Sequence, residues 1–341
     1  MFTIRYWQKE LAFEYPFTIS KGTKTHQSTF IVELNWRGIR AYGEAPAISY
    51  YNITTSKMAA DLDLKRKFVE QFSFTDPKRF WHFLHHLFPD NPFLVCALDM
   101  AGWDLYGKIR NQPLYKLWNL QEGTVPPTDY TIGMDSKEMM LHKINNHPSP
   151  IYKIKVGSKH DIDILTAIRS MSDAIIRVDA NAGWSLDQAV EFFPLLKDLN
   201  VELIEQPLPI GSKQEMVELK SKTDIPIIAD ESCISIKDLD ECIQSFDGIN
   251  IKLTKCSGIT PALELIKKAR SFQLKIMLGC MNESSIGTAA MVHLSPLVDY
   301  FDADGPLLLK EDLANGLNLN NNHTWQMPSL PGLGIQVKEN L

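Results

Sequence analysis

Through the second half of the chain, seven short apolar segments recur at a nearly constant interval, most of them closing on a charged residue. The segments run from Ile151 to Lys155, Ile175 to Asp179, Val201 to Glu205, Ile225 to Asp230, Gly248 to Lys252, Lys275 to Gly279 and Asp299 to Asp304. Lys155 to Asp179 is 24 residues, and the next steps to Glu205, Asp230 and Lys252 are 26, 25 and 22. Each interval holds one β-strand and one crossover helix. The pattern therefore predicts an α/β fold, a modified TIM (β/α) barrel with its chemistry at the carboxyl ends of the strands.

A barrel of that kind takes roughly 200 to 250 residues, so a chain of 341 residues has room for a second, smaller domain. The early segment Phe30 to Trp36 reads as a strand, and Leu94, Ala97, Leu98, Ala101 and Leu105 fall on one face of a helix that breaks at Gln112-Pro113. The expected division is an α+β capping domain over residues 1–125, the barrel with the active site over 126–306, and a segment over 307–341 that returns to the capping domain. Gln121 to Pro127 reads as the linker. A net charge of −6 offers no basic face for nucleic acid, and no run approaches the roughly 20 apolar residues that span a bilayer. The start, Met1 to Glu10, lacks an apolar core of signal-peptide length, and the five cysteines are scattered without metal-ligand spacing. Reduced thiols in a cytoplasm are the expectation.

Asp179, Glu205 and Asp230 each end a different strand, so a parallel barrel brings them to one mouth. Three hard oxygen donors with open positions suit Mg²⁺. The plain alternative is that acids at strand ends merely cap the following helices. Lys153 and Lys155 are two apart on a strand and face the same way. Two ammonium groups in a barrel interior are costly unless used there. Their mutual repulsion, with a nearby cation, is expected to push a lysine pKa down towards a useful base. Lys252 lies on the other side of the acids, with Lys255 close by in the same motif; spacing alone leaves the choice between them open. Two bases across one carbon suit a 1,1-proton transfer, in which one lysine removes the proton α to a carboxylate and the other returns it. Mg²⁺ would stabilise the enediolate charge as it develops.

Five stretches carry a resemblance: Lys-Ile-Lys-Val-Gly from Lys153, Arg-Val-Asp-Ala-Asn-Ala-Gly-Trp from Arg177, Ile-Glu-Gln-Pro from Ile204, Ala-Asp-Glu-Ser from Ala229 and Asn-Ile-Lys-Leu-Thr-Lys from Asn250. They resemble the muconate-lactonising subgroup of the enolase superfamily along the whole chain, and Ala101 to Lys108 resembles its domain junction. The resemblance implies a lysine base working with Mg²⁺. It implies Asp179, Glu205 and Asp230 as metal ligands, Lys155 and Lys252 as the two bases and Lys153 as their electrostatic neighbour. Asn181 and Glu231 would stand behind the ligands. It also implies a homo-oligomer.

Within the subgroup the discriminating segment is Phe301 to Pro306. Asp302 and Asp304, two apart on the eighth strand, resemble the Asp-x-Asp with which dipeptide epimerases hold a substrate ammonium. Asp-x-Asp-Gly is also good turn sequence. The implied substrate is a dipeptide whose C-terminal α-carbon is inverted. Thr131, Met281 and Glu283 are expected to line its pocket, with Lys21 from the first domain. Ala-Glu epimerases resemble one another in placing an arginine in that early loop, where this chain has Lys21, Gly22 and Lys24; lysine does not replace a bidentate fork. Small dipeptides such as Ala-Ala or Ala-X are therefore expected, unless Lys21 and Lys24 are plain solvated charges. o-Succinylbenzoate synthase and N-acylamino acid racemase activities are the alternatives within the subgroup. From another class, an idle barrel that only senses a carboxylate ligand would show no solvent deuterium exchange.

Overall fold

The computed structural model describes residues 2–121, 125–158, 160–339 and 341; Glu122, Gly123 and Thr124 of the expected linker lie outside them. The chain opens with an antiparallel sheet of β1 (Thr3–Ile19), β2 (Gly22–Trp36) and β3 (Ile39–Pro46), in that order. The length of β1 exceeds anything its mixed polar sequence announces. It pairs β2 from Thr3 opposite Asn35 to Ile19 opposite Gly22, with a register shift between Ala12 and Phe17. Ser20 and Lys21 thus form the tip of a tight hairpin, and Gly22 takes the left-handed φ of 135° beside it. Lys21 therefore lies on a short turn held between two sheet strands, in the early loop the sequence suggested.

Three helices follow: α1 (Thr55–Glu70), α2 (Pro77–Leu87) and α3 (Pro92–Arg110). The α3 helix starts with Pro92 behind the Asn91 side-chain cap and stops at Asn111 in the left-handed region. It is apolar all round because both faces are covered. Leu94, Ala97, Leu98, Ala101 and Leu105 pack into the first domain's core, while Cys96, Met100 and Trp103 join the barrel's.

The barrel consists of eight neighbouring strands: β4 (Tyr130–Ile132), β5 (Ile151–Lys155), β6 (Ile175–Asp179), β7 (Val201–Glu205), β8 (Ile227–Ala229), β9 (Gly248–Ile251), β10 (Lys275–Gly279) and β11 (Tyr300–Asp302). All paired neighbours are parallel. A parallel bridge between Thr128 and Phe301 joins the last strand to the first. Leu203, Ile228 and Met277 form a separate apolar cluster. Each lies two residues before a mouth position, so side-chain alternation turns them inward beneath the charged layer.

After β11 the outer helix shrinks to Gly305–Leu308 and the chain runs back along the first domain. There Lys310 N–H donates to the Ala12 carbonyl at 2.9 Å, and β12 (Ala314–Asn315) pairs with β13 (Gln336–Val337). Gly332 has a φ of 72°, and a Cβ there would meet Asp104 Oδ1 at 2.1 Å. Only glycine lets the returning chain lie that close.

Three buried carboxylates dock the two domains. Glu44 of β3 accepts from Ser284 N–H, Ser284 Oγ and Gly287 N–H at 3.1, 2.6 and 2.9 Å, at the start of the helix Ser285–Leu294. Asp99 of α3 accepts from Thr260 N–H at 2.9 Å and Thr260 Oγ1 at 2.7 Å, at the start of the helix Ile259–Ser271. Free N–H groups and the helix dipole favour a carboxylate at both places. Asp104 accepts from Tyr42 N–H at 2.9 Å and Leu333 N–H at 2.8 Å, tying α3 to both β3 and the returning tail. Among the described residues no helix is long and apolar enough to cross a membrane.

Candidate active site

Lys155, Asp179 and Glu205 end β5, β6 and β7, while Asp230 and Lys252 directly follow β8 and β9. In a ring of eight strands, β5 and β9 are four places apart, which sets Lys155 and Lys252 on opposite walls. The three acids occupy the strands between them on one side. Asp302, ending β11, faces them from the other side of the mouth.

Lys153 sits at the centre, 2% exposed. Its ammonium is 2.7 Å from Asp302, 2.8 Å from Glu205 and 3.1 Å from Asp179. Lys155 donates to Asp179 at 2.6 Å, and Lys252 to Asp230 at 2.9 Å. Lys255 donates to Asp230 Oδ1 at 2.6 Å and to the Cys233 and Asn250 carbonyls at 3.1 and 3.2 Å. Its donors are spent on holding the Asp230 turn, whereas Lys252 lines the open cavity.

The lysines do not behave as the sequence suggested. Burial alone would lower Lys153, but Asp302, Glu205 and Asp179 reverse it and raise the pKa well above the ordinary lysine value. Lys252 is raised in the same way, burial opposing and Asp230 and Glu205 prevailing. Like-charge repulsion between lysines is outweighed because each has a carboxylate at hydrogen-bond distance. Both stay charged until something else neutralises those acids. On the acid side, burial and the neighbouring Asp179 charge push Glu205 up to about 7. Burial also opposes ionisation of Asp179 and Asp230, yet Lys155 and Lys153 hold the first below the usual carboxylate range and Lys252 and Lys255 the second.

Glu205 Oε1 accepts from Asn250 Nδ2 at 2.7 Å, but no well-angled hydrogen bond reaches its buried Oε2, although the Lys153 ammonium stands 2.8 Å away. A carboxylate oxygen with no well-angled donor, between two further acids, fits a hard divalent cation such as Mg²⁺. The oxygens of Asp179, Glu205 and Asp230 are at present drawn onto lysines. Among the described residues, the ligand atoms gathered within 4.8 Å of one another belong to Cys280, Asp302 and Asp304 instead.

That convergence of Asp302 and Asp304 has a different origin from the one expected. The strand β11 stops at Asp302, and Asp304 stands at the N-cap position of the short helix Gly305–Leu308 without a side-chain cap bond to it. Asp304 turns back so that its Oδ2 accepts from Thr131 N–H at 2.6 Å and its Oδ1 meets Cys280 Sγ at 3.4 Å. Burial and the Asp302 charge push Asp304 up to about 6. Burial opposes the ionisation of Asp302, but Lys153 holds it down.

A cavity of about 220 Å³ lies between the charged layer and the capping domain, lined below by Thr131, Lys155, Asn181, Lys252, Met281 and Asp302. Phe17, Ile19, Tyr50 and Tyr51 cover it from above. Lys21 and Lys24 also line it, Lys21 with an exposed face. The Lys21 ammonium bonds Glu231 at 2.8 Å and stands 3.7 Å from the Tyr50 ring centroid. Lys24 is partly buried, which lowers its pKa, and lies 3.4 Å from Gln27 Oε1. Glu283, expected at the substrate, does not line the cavity. Its Oε2 accepts from Met281 N–H at 2.7 Å and shapes that loop, and burial pushes it up to about 7.

Sequence reasoning passed over Gln206, Asn250, Arg177 and Asp129. Gln206, at a left-handed φ of 37°, accepts from Asp230 N–H at 3.0 Å and Ser232 N–H at 3.1 Å, stapling the turn that aims Asp230. Arg177 bonds Asp129 at 2.9 Å inside the barrel. The available signal was alternation: Arg177 and Asn250 each precede a mouth residue by two, so both had to face inward.

Comparison with known proteins agrees along the whole chain. Residues 1–118 match the "Mandelate racemase / muconate lactonizing enzyme, N-terminal domain" and residues 142–341 the "Enolase C-terminal domain-like" family. An L-Ala-D/L-amino acid epimerase of a Maribacter species is 42% identical over 329 residues, covering 96% of this chain and 97% of the relative. The crystal structure of a dipeptide epimerase from Cytophaga hutchinsonii, complexed with Mg and D-Ala-L-Val, superimposes with a TM-score of 0.92 at 26% identity, covering 99% and 96% of the two chains. The substrate-liganded L-Ala-D/L-Glu epimerase from Bacillus subtilis gives a TM-score of 0.91 at 30% identity, covering 98% of each.

Proposed function

The chain belongs to the mandelate racemase / muconate lactonizing enzyme family, and on that footing we propose that it is a Mg²⁺-dependent dipeptide epimerase. One observation carries the proposal: two lysines face a single cavity from opposite walls, with three acids on the strands between and Asp302 across from them. Asp179, Glu205 and Asp230 would hold Mg²⁺, which when bound supplies positive charge to a substrate carboxylate and its enediolate.

The chain's own residues then divide the work. Asp302, with Asp304 behind it, receives the amino terminus of the dipeptide, and Lys153 sets the charge between the acids and the substrate. Of Lys155 and Lys252, one takes the C-terminal residue's α-proton as a neutral amine and the other, as an ammonium, delivers a proton to the opposite face. Lys155 and Lys252 each donate to one of those acids, Asp179 at 2.6 Å and Asp230 at 2.9 Å, so a cation held there would take over the carboxylates they engage. Tyr50, Tyr51 and the hairpin tip keep water out of the cavity.

Small dipeptides such as Ala-Ala or Ala-X fit best. The chamber is modest, and Lys21, already paired with Glu231 and covered by Tyr50, does not stand free to meet a substrate carboxylate. The five unpaired cysteines support a reducing cytoplasm as its place of action.

The test is mass spectrometry of a dipeptide library incubated with the enzyme in D₂O, with and without EDTA. We expect a gain of one mass unit at the C-terminal residue, abolished by EDTA and restored by Mg²⁺. No label in any dipeptide refutes the epimerase reading. The double substitution Asp302→Asn with Asp304→Asn is expected to raise KM; unchanged turnover would remove the ammonium site and favour an N-acylated substrate.

A further inference from the structure

One basic side chain at the mouth is placed as a ligand would be. The Lys21 ammonium, at the hairpin tip of the capping domain, lies 2.8 Å from Glu231 Oε1 and 3.7 Å from the centroid of the Tyr50 ring. A carboxylate on one side and an aromatic face on the other are the two kinds of group that recognise an ammonium ion. Glu231 is 6% exposed, and its other oxygen, Oε2, is buried with no hydrogen-bond partner among the described residues. A buried acceptor left free beside a cation marks a seat that can take a further donor.

The seat is assembled from separate parts of the fold. Glu231 follows β8 and stays with the barrel. Tyr50 belongs to the short turn Ser49–Tyr51, where Tyr51 packs edge-on against it at 5.0 Å and meets Phe93 of α3 at 5.7 Å. The hairpin tip is pinned elsewhere. Met134 N–H donates to the Thr18 carbonyl at 2.8 Å, and Gly157 leaves room for Ser20, since a Cβ there would stand 3.3 Å from the Ser20 Cβ. Lys21 takes part in none of these supports, so the seat stands without it. Lys21, Tyr50, Tyr51 and Glu231 all line the cavity described above, and a molecule that fills the cavity reaches the same seat.

We infer that Lys21 sets the specificity of this cavity by occupying, from within the chain, a seat for the cationic end of a substrate side chain. Dipeptides whose C-terminal residue ends in an ammonium group, as lysine does, are turned away because the seat is filled and its cation repels theirs. A neutral side chain of equal length meets the same walls without that repulsion. The inference deepens the epimerase reading and rests on it for the class of substrate.

Lys21→Ala vacates the seat, and two measurements read the result. The first needs no turnover: a crystal structure of Lys21→Ala soaked with n-butylammonium, which copies the end of a lysine side chain. The ammonium is expected between Glu231 and Tyr50, and to be absent there from soaked wild type and from Lys21→Ala with Tyr50→Leu. The second is the ratio of kcat/KM for Ala-Lys to that for Ala-norleucine, which has nearly the length of lysine without the charge. That ratio is expected to rise at least about tenfold from wild type to Lys21→Ala, and to fall back when Tyr50→Leu is added. An empty seat in soaked Lys21→Ala overturns the inference. So does an unchanged ratio, with both dipeptides gaining or losing alike, because Lys21 then only fills space or braces the tip. A wild-type enzyme that labels no dipeptide sinks the epimerase reading instead, and the n-butylammonium structure still decides the seat.

Discussion

The acids at the barrel mouth and those at the seam between the domains are buried alike, none of the six more than 2% exposed, yet they serve opposite ends. At the seam, Glu44 and Asp99 accept only from backbone N–H groups and hydroxyls, and Asp104 accepts from two backbone N–H groups besides the Lys108 ammonium at 2.7 Å. The backbone donors are fixed in the chain and two of the sets open helices. At the mouth, Asp179, Glu205 and Asp230 face ammonium groups on long, rotatable stems, and one oxygen of Glu205 has no well-angled partner. A carboxylate met by fixed dipoles is a joint. A carboxylate met by a lysine has a partner that can be exchanged for a cation, or that can hand on a proton.

Four substitutions sharpen or break that contrast. The largest effect is expected at the mouth, where Lys155→Ala or Lys252→Ala should cut α-proton exchange by about 10²- to 10⁴-fold. Circular dichroism and denaturant midpoint should show the fold retained. Next comes Glu44→Gln, which keeps the shape but loses a charged acceptor of four donors, Thr29 Oγ1 among them, and should cost about 1–3 kcal/mol in urea unfolding. Its kcat should stay within a few-fold of wild type. Lost turnover with unchanged stability would mean that the seam reaches into the chemistry, and the contrast would collapse.

The smallest effect concerns Asp99, which burial pushes up to about 7 against the pull of its Thr260 hydrogen bonds. An unfolded aspartate titrates near about 3.9, so between those values the folded chain binds more protons than the unfolded one. Its contribution is fully present below the unfolded value and is lost as pH rises through about 7. Asp99→Asn removes the titration. Urea midpoints at pH 5 and pH 8 should therefore fall further in wild type than in the variant; a larger fall in the variant would contradict the assignment.

Much of the barrel was legible because its signal is local and repeated. A strand of four or five apolar residues ending in a charge, met every two dozen residues, needs no knowledge of the rest of the chain. The same regularity marked Lys155, Asp179, Glu205, Asp230 and Lys252 as sharing one mouth. The seam acids were passed over because their partners are remote: Glu44 bonds Ser284 across 240 residues, and Asp99 bonds Thr260 across 161. One hint was available, since Asp99 and Asp104 sit in a helix with no other charged residue before its last turn, and buried acids are seldom left without partners. Nor did spacing reveal that Asp304 leaves the strand, because a two-residue interval reads alike in a strand end and a cap.

The sequence by itself determined the strand period, the charge at each strand end and hence which chemical groups meet at the mouth. Periodicity is a property of neighbours in the chain, and it survives without any coordinates. Tertiary structure alone decided which lysine is spent on holding Asp230, that Lys153 and Lys252 are kept charged rather than relaxed, and that Lys21 is seated between Glu231 and Tyr50. Each of those outcomes is a competition among charges and donors a few ångströms apart in space but tens to hundreds of residues apart in sequence, and only the folded distances say which partner wins.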